Sequence, residues 1–334
     1  MRSAVKRVPG IAVAGLVVIL AAACTSSSSS TSGPQLASLE TKNLTIAAVP
    51  VGDDAGLYVA KDLGLFSSVG LNVTIDSIES SATATQGQNA GKYAITAGNA
   101  VSYVQAQASG ASNLEIVAEG SLMQPGDQAL YVLPGSPIQN VSQLKGQRIG
   151  VNTANNIGTL LISALLRAHG MSPSDVHFVP LAAGFPAMAN ALATHQISVA
   201  WLPEPFGSID SATLGLRELA DLDQGEAQSF PVAWYVATKA WAQKNPHTLT
   251  AFLYALREGQ EYSDTNRADV ERAMEALPQP YTVPPKFAAI MSIENYPLSV
   301  APDIDEARVQ RVVDAMAQFN MVPQTFNVGT MLAR

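Results

Sequence analysis

Short apolar segments alternate with segments of helical periodicity from residue 43 onward. In the short segments apolar residues are continuous or alternate with polar ones, whereas the longer segments repeat apolar residues every three to four positions. Because a helix pattern follows each strand pattern, the order is typical of βαβ units and predicts a mostly parallel sheet with helices on both faces. Strands are predicted at residues 44–49, 71–78, 93–97 and 114–118, and helices at 55–66, 82–90 and 99–109.

A second series of the same kind follows, so the pattern predicts two similar α/β lobes. Its strands are predicted at 148–151, 176–181 and 197–202 and its helices at 158–169 and 185–194, with further helices at 246–263, 267–277, 284–293 and 304–320. Two more apolar segments, 129–133 and 232–238, are expected to be paired strands that cross between the lobes. This division assigns residues 43–128 and 239–334 to lobe 1, and residues 129–238, with the hinge crossings, to lobe 2.

Composition and charge narrow the class of protein. The 334 residues are 47% hydrophobic and 14% charged, which favours a large folded core and argues against a disordered chain. The net charge of −8 disfavours a nucleic-acid partner, because binding phosphates requires clustered Lys and Arg. A single cysteine excludes an intrachain disulfide and a thiolate metal cluster.

The N-terminus has the pattern of an export signal. Three basic residues within the first seven precede an apolar run at 11–20, which is too short to span a bilayer comfortably. Three alanines then lead to Cys24, and this arrangement resembles the lipobox of bacterial lipoproteins, which implies that Cys24 is lipidated. Residues 1–23 are accordingly expected to be a lipoprotein signal peptide and residues 24–42 a Ser-rich tether. An ordinary secretory signal with a coincidental cysteine is the alternative.

Several segments in order carry a resemblance to a known family. Through them the chain resembles the substrate-binding proteins of ABC importers, in the cluster that serves nitrate, taurine, aliphatic sulfonates and thiamine-precursor pyrimidines. The resemblance covers residues 43–265. Its segments are 56–66, 97–100, 105–110, 144–151, 203–206 and 245–256.

The resemblance implies a two-lobed, type II periplasmic-binding-protein-like fold with two crossing strands as hinge. It implies a solute-binding protein anchored at the outer face of the cytoplasmic membrane, which delivers a small organic ligand to ABC permease subunits. A monomer without a cofactor, a metal or a nucleic-acid partner is expected. The family often has an acid where this chain has Ala94 and Ser198, so the resemblance does not transfer a specific ligand.

Polar residues at the predicted strand ends are the candidate ligand contacts. In open α/β sheets ligands bind beyond the carboxyl ends of the strands, and two lobes would bring these ends together across a cleft. The Asp, Asn, Ser and Thr side chains can instead cap the helices that follow them, and the Trp can instead pack at the lobe junction. The candidates are Asp53, Asp54, Ser80, Ser81 and Asn99 in lobe 1, and Asn152, Thr153, Asn156, Thr159, Trp201 and Glu204 in lobe 2.

Basic residues are missing from these loops, and acids are present. This favours a neutral or amine-bearing ligand, including a heteroaromatic one, over a sulfonate or nitrate.

Catalysis is not expected. None of the four histidines, His169, His177, His195 and His247, falls in a predicted cleft loop, and no nucleophile or phosphate-binding motif is present. Two alternatives stay open: an enzyme on the same fold, similar to those of thiamine or menaquinone biosynthesis, and a surface lipoprotein without a transport role.

Overall fold

A computed structural model describes residues 38–323 and 326–333. The expected signal peptide, the expected lipidation site Cys24 and most of the expected tether lie outside the described residues. The last residues of that tether contact the folded body. The Glu40 carboxylate accepts the backbone N–H groups of His247 (3.1 Å) and Thr248 (2.8 Å).

The alternation of strands and helices is as predicted. The strands are β1 Asn43–Ala48, β2 Asn72–Ser77, β3 Ile95–Asn99, β4 Leu114–Glu119, β5 Gln128–Val132, β6 Arg148–Val151, β7 His177–Pro180, β8 Val199–Pro203, β9 Arg217–Asp221 and β10 Ala233–Thr238. The helices are α1 Ala55–Asp62, α2 Leu65–Ser68, α3 Ser81–Asn89, α4 Ala100–Ala108, α5 Ile157–Ala168, α6 Met188–Ala193, α7 Phe206–Leu214, α8 Lys239–Lys244, α9 Pro246–Thr265, α10 Arg267–Glu275, α11 Pro285–Ala288 and α12 Glu306–Gln318.

Two five-stranded sheets form the two lobes, which confirms the predicted fold class. Their strand orders are β2-β1-β3-β10-β4 and β7-β6-β8-β5-β9. In the first sheet β1 is parallel to β2 and β3, while β10 is antiparallel to β3 and β4. The second sheet repeats this plan, with β5 as its single reversed strand. Because both sheets are built in the same way, each presents the carboxyl ends of its parallel strands at one edge.

The strands near the middle of each sheet are the most deeply buried. Every residue of β3, β5 and β8 is buried, as expected for strands that are covered on both faces. The sequence patterns missed β9, whose charged residues and partial exposure are typical of an edge strand, and α7 before it. The helix predicted at 55–66 is divided at Gly64, where a positive φ of 71° ends α1 and begins α2.

The expected pairing of residues 129–133 with residues 232–238 is wrong. Strand β5 pairs with β8 and β9, and β10 pairs with β3 and β4, so each reversed strand lies inside a different sheet. The connections just outside these strands are the ones that run side by side. The N–H of Met123 donates to the carbonyl of Phe230, and that of Val232 donates to Ser121, both at 3.0 Å. These two backbone segments link the two sheets, and we infer that they are the hinge between the lobes.

Among residues 38–323 and 326–333, none of the helices combines the length and the apolar character that a membrane crossing requires.

Candidate functional site

A small cavity lies between the two lobes, at the carboxyl ends of strands from both sheets. Its volume is about 20 Å³, which is room for about one water molecule. Lobe 1 contributes the loop after β1, the end of β3 and the start of α3, and lobe 2 contributes the loops after β6 and β7 and the end of β8. The lining residues are Val49, Val51, Asp53, Asp54, Ser81, Gly98, Asn99, Asn152, Ile157, Phe185, Trp201 and Pro203.

The lobes are closed over this cavity. Hydrogen bonds across the cleft join them directly, so the small volume reflects closure of the cleft. They include those from the Gly52 N–H to the Glu204 carbonyl (2.9 Å), from Asn152 Nδ2 to the Glu79 carbonyl (3.1 Å), from Gln105 Nε2 to the Asn155 carbonyl (2.8 Å) and from Gln128 Nε2 of β5 to Asp53 Oδ1 (3.3 Å).

The structure places six of the eleven candidate ligand residues at the cavity: Asp53, Asp54, Ser81, Asn99, Asn152 and Trp201. The other five, Ser80, Thr153, Asn156, Thr159 and Glu204, do not line it.

Local backbone contacts occupy several of the candidates that lie away from the cavity. Ser80 caps α3 by accepting the Thr83 N–H (3.3 Å), and Asn156 caps α5 by accepting the Thr159 N–H (3.1 Å). The Thr159 hydroxyl donates to the Asn156 carbonyl at 2.7 Å. The helix-capping alternative is therefore the observed role of Ser80 and Asn156.

Asp54 is the most unusual lining residue. It is 0% exposed, yet neither of its carboxylate oxygens has a hydrogen-bond partner among the described residues. It precedes α1 but makes no capping hydrogen bond with its side chain. Burial raises the pKa of Asp54 well above its ordinary value, and the charge of Asp53 raises it further. A buried carboxyl group without partners is costly to the folded protein, and no local hydrogen bond of Asp54 offsets this cost.

Asp53, the neighbouring acid, is engaged by other side chains. Gln128 Nε2 donates to its Oδ1 at 3.3 Å, and its carboxyl group lies against that of Glu294. Burial raises the pKa of Asp53, while hydrogen bonds with Glu294 and Gln128 act in the opposite direction. Burial and then the charge of Asp53 raise the pKa of Glu294. The two carboxyl groups can therefore share a proton.

Asp53 and Glu294 belong to a larger group of buried acids, which also contains Asp127 and Glu204 and is called the carboxyl cluster below. Its members come from both lobes and from the connection between β4 and β5. Burial raises the pKa of Asp127 to about 8 and that of Glu204 to about 7. Asp127 and Glu294 were not predictable from the sequence, because neither follows a parallel strand and both reach the cluster through contacts that are distant along the chain.

Aromatic side chains form the lobe 2 wall of the cavity. The Trp201 ring makes an edge-on contact with Phe185, with ring centres 5.2 Å apart and planes at 72°. Gly158 lies directly behind the indole, since a Cβ there would come within 2.3 Å of a ring carbon. The Trp201 indole N–H is buried and has no acceptor among the described residues. Trp201 thus lines the cavity and packs at the lobe junction, which combines the two roles weighed from the sequence.

The cavity combines acidic, polar and aromatic groups without a basic one. None of the twelve described residues that line it is Lys, Arg or His. Within the described ranges, no group of three His, Cys, Asp or Glu side chains is arranged to hold a metal ion. The arrangement can bind a small molecule through hydrogen bonds and an aromatic face.

Comparison with known sequences finds a matching family model and a relative of known name. The family model described as "NMT1/THI5 like" matches residues 52–266. A protein of Escherichia coli (strain K12), named for an inferred binding of aliphatic sulfonates, is 26% identical over 227 residues, which are 67% of this chain and 67% of that protein.

Solved structures share the fold. The alkanesulfonate-binding protein of Xanthomonas axonopodis pv. citri, bound to MOPS, superimposes with a TM-score of 0.73 at 18% identity, over 89% of this chain and 100% of that one. A desulfurization enzyme superimposes with a TM-score of 0.63 at 15% identity, over 88% and 96% of the two chains. The fold therefore occurs in both binding proteins and an enzyme.

Proposed function

The chain belongs to the NMT1/THI5-like family, and from this premise we propose that it is the extracytoplasmic solute-binding component of an ABC importer. It captures a small organic ligand between its two lobes and delivers the ligand to a membrane permease. The sequence relative named for sulfonate binding supports a solute-binding role. The closed form would present a surface made of both lobes to the permease.

The observation that carries this proposal is the set of unpartnered polar groups at the cavity. Asp54 and the Trp201 N–H are both buried and lack hydrogen-bond partners among the described residues. Buried polar groups in native proteins are nearly always hydrogen-bonded, and those left without a partner need an explanation. A ligand that bonded to these groups on closure would supply the missing partners.

The enzyme alternative has one observation in its favour. A desulfurization enzyme shares the fold, and Asp54, a buried carboxyl group with a raised pKa, is the kind of group that can act as a general acid. A binding protein returns its ligand chemically unchanged, so mass spectrometry of the ligand after prolonged incubation separates the two functions.

A panel of ligands tests solute binding. Thermal shift with sulfonates, nitrate, taurine, pyrimidines and flavins should identify a compound that raises the melting temperature, because a ligand of the folded state stabilises it by mass action. Trp201→Phe, which removes the indole N–H and part of the wall, should weaken binding up to about tenfold.

Trp241→Phe is the matched control, because Trp241 is a half-buried tryptophan of α8 that does not line the cavity. It should bind like the wild type. Equal affinity in both Trp variants, or no stabilisation by any compound, would contradict the proposal.

Membrane anchoring forms a separate part of the proposal. Cys24, the only cysteine, follows three alanines at the end of the apolar run. We infer that it is lipidated and holds the protein at the outer face of the cytoplasmic membrane. A diacylglyceryl group would anchor the protein stably, whereas a single acyl chain binds only marginally.

Cys24→Ser should therefore move the protein from the membrane fraction to the soluble fraction, as immunoblotting of fractionated cells would show. Ser30→Ala, in the same Ser-rich segment, should leave it at the membrane. Retention of the Cys24→Ser protein in the membrane fraction would refute lipid anchoring.

A further inference from the structure

We propose that the ligand of the cleft is a small organic cation whose protonated nitrogen pairs with the Asp54 carboxylate. This inference rests on the proposed solute-binding function and adds the chemical class of the solute. It separates this protein from relatives whose names refer to sulfonates.

The two adjacent acids, Asp53 and Asp54, differ in their hydrogen-bond partners. Asp53 receives a hydrogen bond from Gln128 and lies against Glu294, so other side chains already satisfy it. Asp54 lines the same cavity, is fully buried, and has both oxygens free of partners among the described residues. Only Asp54 has its full capacity to accept hydrogen bonds from a ligand.

The lining of the cavity favours a positively charged ligand. Two of the twelve lining residues are acids and none is basic. An anion placed here would face Asp53 and Asp54 in a site shielded from water, where repulsion between like charges is much stronger than in water. A cation would instead supply the missing counter-charge, and its N–H groups would make charge-assisted hydrogen bonds to Asp54.

Further polar and aromatic groups line the same cavity. Ser81 Oγ accepts two hydrogen bonds from Asn99, from its backbone N–H and its Nδ2, both at 2.9 Å, which leaves the hydroxyl hydrogen available. The Trp201 N–H also lacks an acceptor among the described residues. The Trp201 and Phe185 rings offer an apolar wall. These groups suit a ligand that carries an acceptor atom and an apolar or aromatic part beside its cationic nitrogen.

The ionisable groups near Asp54 determine whether its carboxyl group is protonated before the ligand binds. The charge of Asp53, in the same loop, raises the pKa of Asp54. The charge of Asp54 in turn raises the pKa values of Tyr58 of α1, Tyr103 of α4 and Tyr235 of β10. None of these groups is basic, so burial keeps Asp54 protonated in the ligand-free closed form. Pairing with a protonated amine ionises the carboxyl group, and its proton passes to the solvent.

The experiment uses three compounds that share one carbon skeleton and differ in charge: benzylammonium, benzyl alcohol and phenylmethanesulfonate. Methylammonium and methanesulfonate form a smaller pair. Calorimetric titration at pH 7 should detect binding of the amines only. In buffers of different ionisation enthalpy it should also show release of about one proton per bound amine.

The decisive variant is Asp54→Asn, which keeps the shape and removes the charge. It should weaken amine binding by roughly ten- to a hundredfold, because it removes a charged hydrogen-bond partner. Asp210→Asn is the matched control: Asp210 in α7 is partly buried, burial raises its pKa to about 6, and it does not line the cavity. It should bind amines like the wild type.

A readout without ligand checks that Asp54→Asn is folded and that Asp54 is unpartnered. At pH 8 this variant should melt at a higher temperature than the wild type, because it no longer buries an ionisable group without a partner. A lower melting temperature would show that the carboxylate has a structural partner and would overturn the inference.

The remaining outcomes separate this inference from the proposed function. Binding of the sulfonates in preference to the amines, or equal amine affinity in Asp54→Asn and the wild type, would overturn the cation inference and leave solute binding intact. The same holds if no amine binds but another compound of the wider panel does. If nothing in either set binds, both proposals fail.

Discussion

The ligand-free protein should be markedly more stable at pH 5 than at pH 8. The carboxyl cluster of Asp53, Asp127, Glu204 and Glu294 causes this difference, because burial raises the pKa of each of the four groups. With raised pKa values the folded protein holds protons that the unfolded chain has released, so the free energy of unfolding falls as pH rises. The fall begins near the ordinary pKa of a carboxyl group, about 4, and ends above the folded values, which are about 7 for Glu204 and about 8 for Asp127.

The expected size of the effect is several kcal/mol. Between pH 5 and its folded pKa of about 7, Glu204 alone contributes on the order of 3 kcal/mol, at about 1.4 kcal/mol for each unit of pKa. At about 2.1 cal/mol/K of unfolding entropy per residue, a folded body of about 300 residues gains about 1.6 °C in melting temperature for each kcal/mol, so a difference of at least about 5 °C is expected. Calorimetric scans at the two pH values measure it directly.

Glu294→Gln tests the assignment to this cluster. The variant removes one buried ionisable group, so it should raise the melting temperature at pH 8 and have little effect at pH 5. Glu261→Gln is the control, because Glu261 is exposed on α9. A stability that rises from pH 5 to pH 8, or an equal response of the two variants, would show that the four acids are not held protonated together.

The architecture was predictable from the sequence wherever burial leaves a strong pattern. The central strands β3, β5 and β8 are fully buried and lie in or beside apolar segments of the chain, and their order with the helices indicates two α/β lobes. Strand β9 was missed, because Arg217, Glu218 and Asp221 give an edge strand the composition of a loop. The partners of β5 and β10 could not be predicted, since strand pairing at this separation leaves no local signal in the chain.

The site was predictable in part, because the positions of strand ends can be read from the sequence. The rule that ligands bind at the carboxyl ends of strands located Asp54, Asn99, Asn152 and Trp201 at the cavity. It could not separate ligand contacts from helix caps, because both use the same residue types. Asn99 lines the cavity and also caps α4 by accepting the Ser102 N–H, whereas Asn156 caps α5 away from the cavity. The acids Asp127 and Glu294 join the carboxyl cluster through tertiary contacts alone, which leave no local pattern in the sequence.

Opening of the lobes is the second large effect that we expect. The closed cavity holds about 20 Å³, whereas sites for small organic molecules usually occupy roughly 300–1,000 Å³. A ligand can therefore enter only after the lobes separate about the hinge formed by residues 121–123 and 230–232. Separation breaks the hydrogen bonds that join the lobes across the cleft. Ligand contacts would then favour a form closed around the ligand.

The central claim is that the cleft closes on a small molecule, and small-angle X-ray scattering tests it most directly. The radius of gyration is measured without ligand and with a compound from the panel at a concentration that calorimetry shows to be saturating. We predict a smaller radius of gyration in the saturated protein, because the ligand-free protein exchanges between the closed form and the open forms that admit the ligand, and the bound ligand holds the lobes closed. An unchanged radius of gyration at saturation would contradict capture of the ligand by closure of the two lobes.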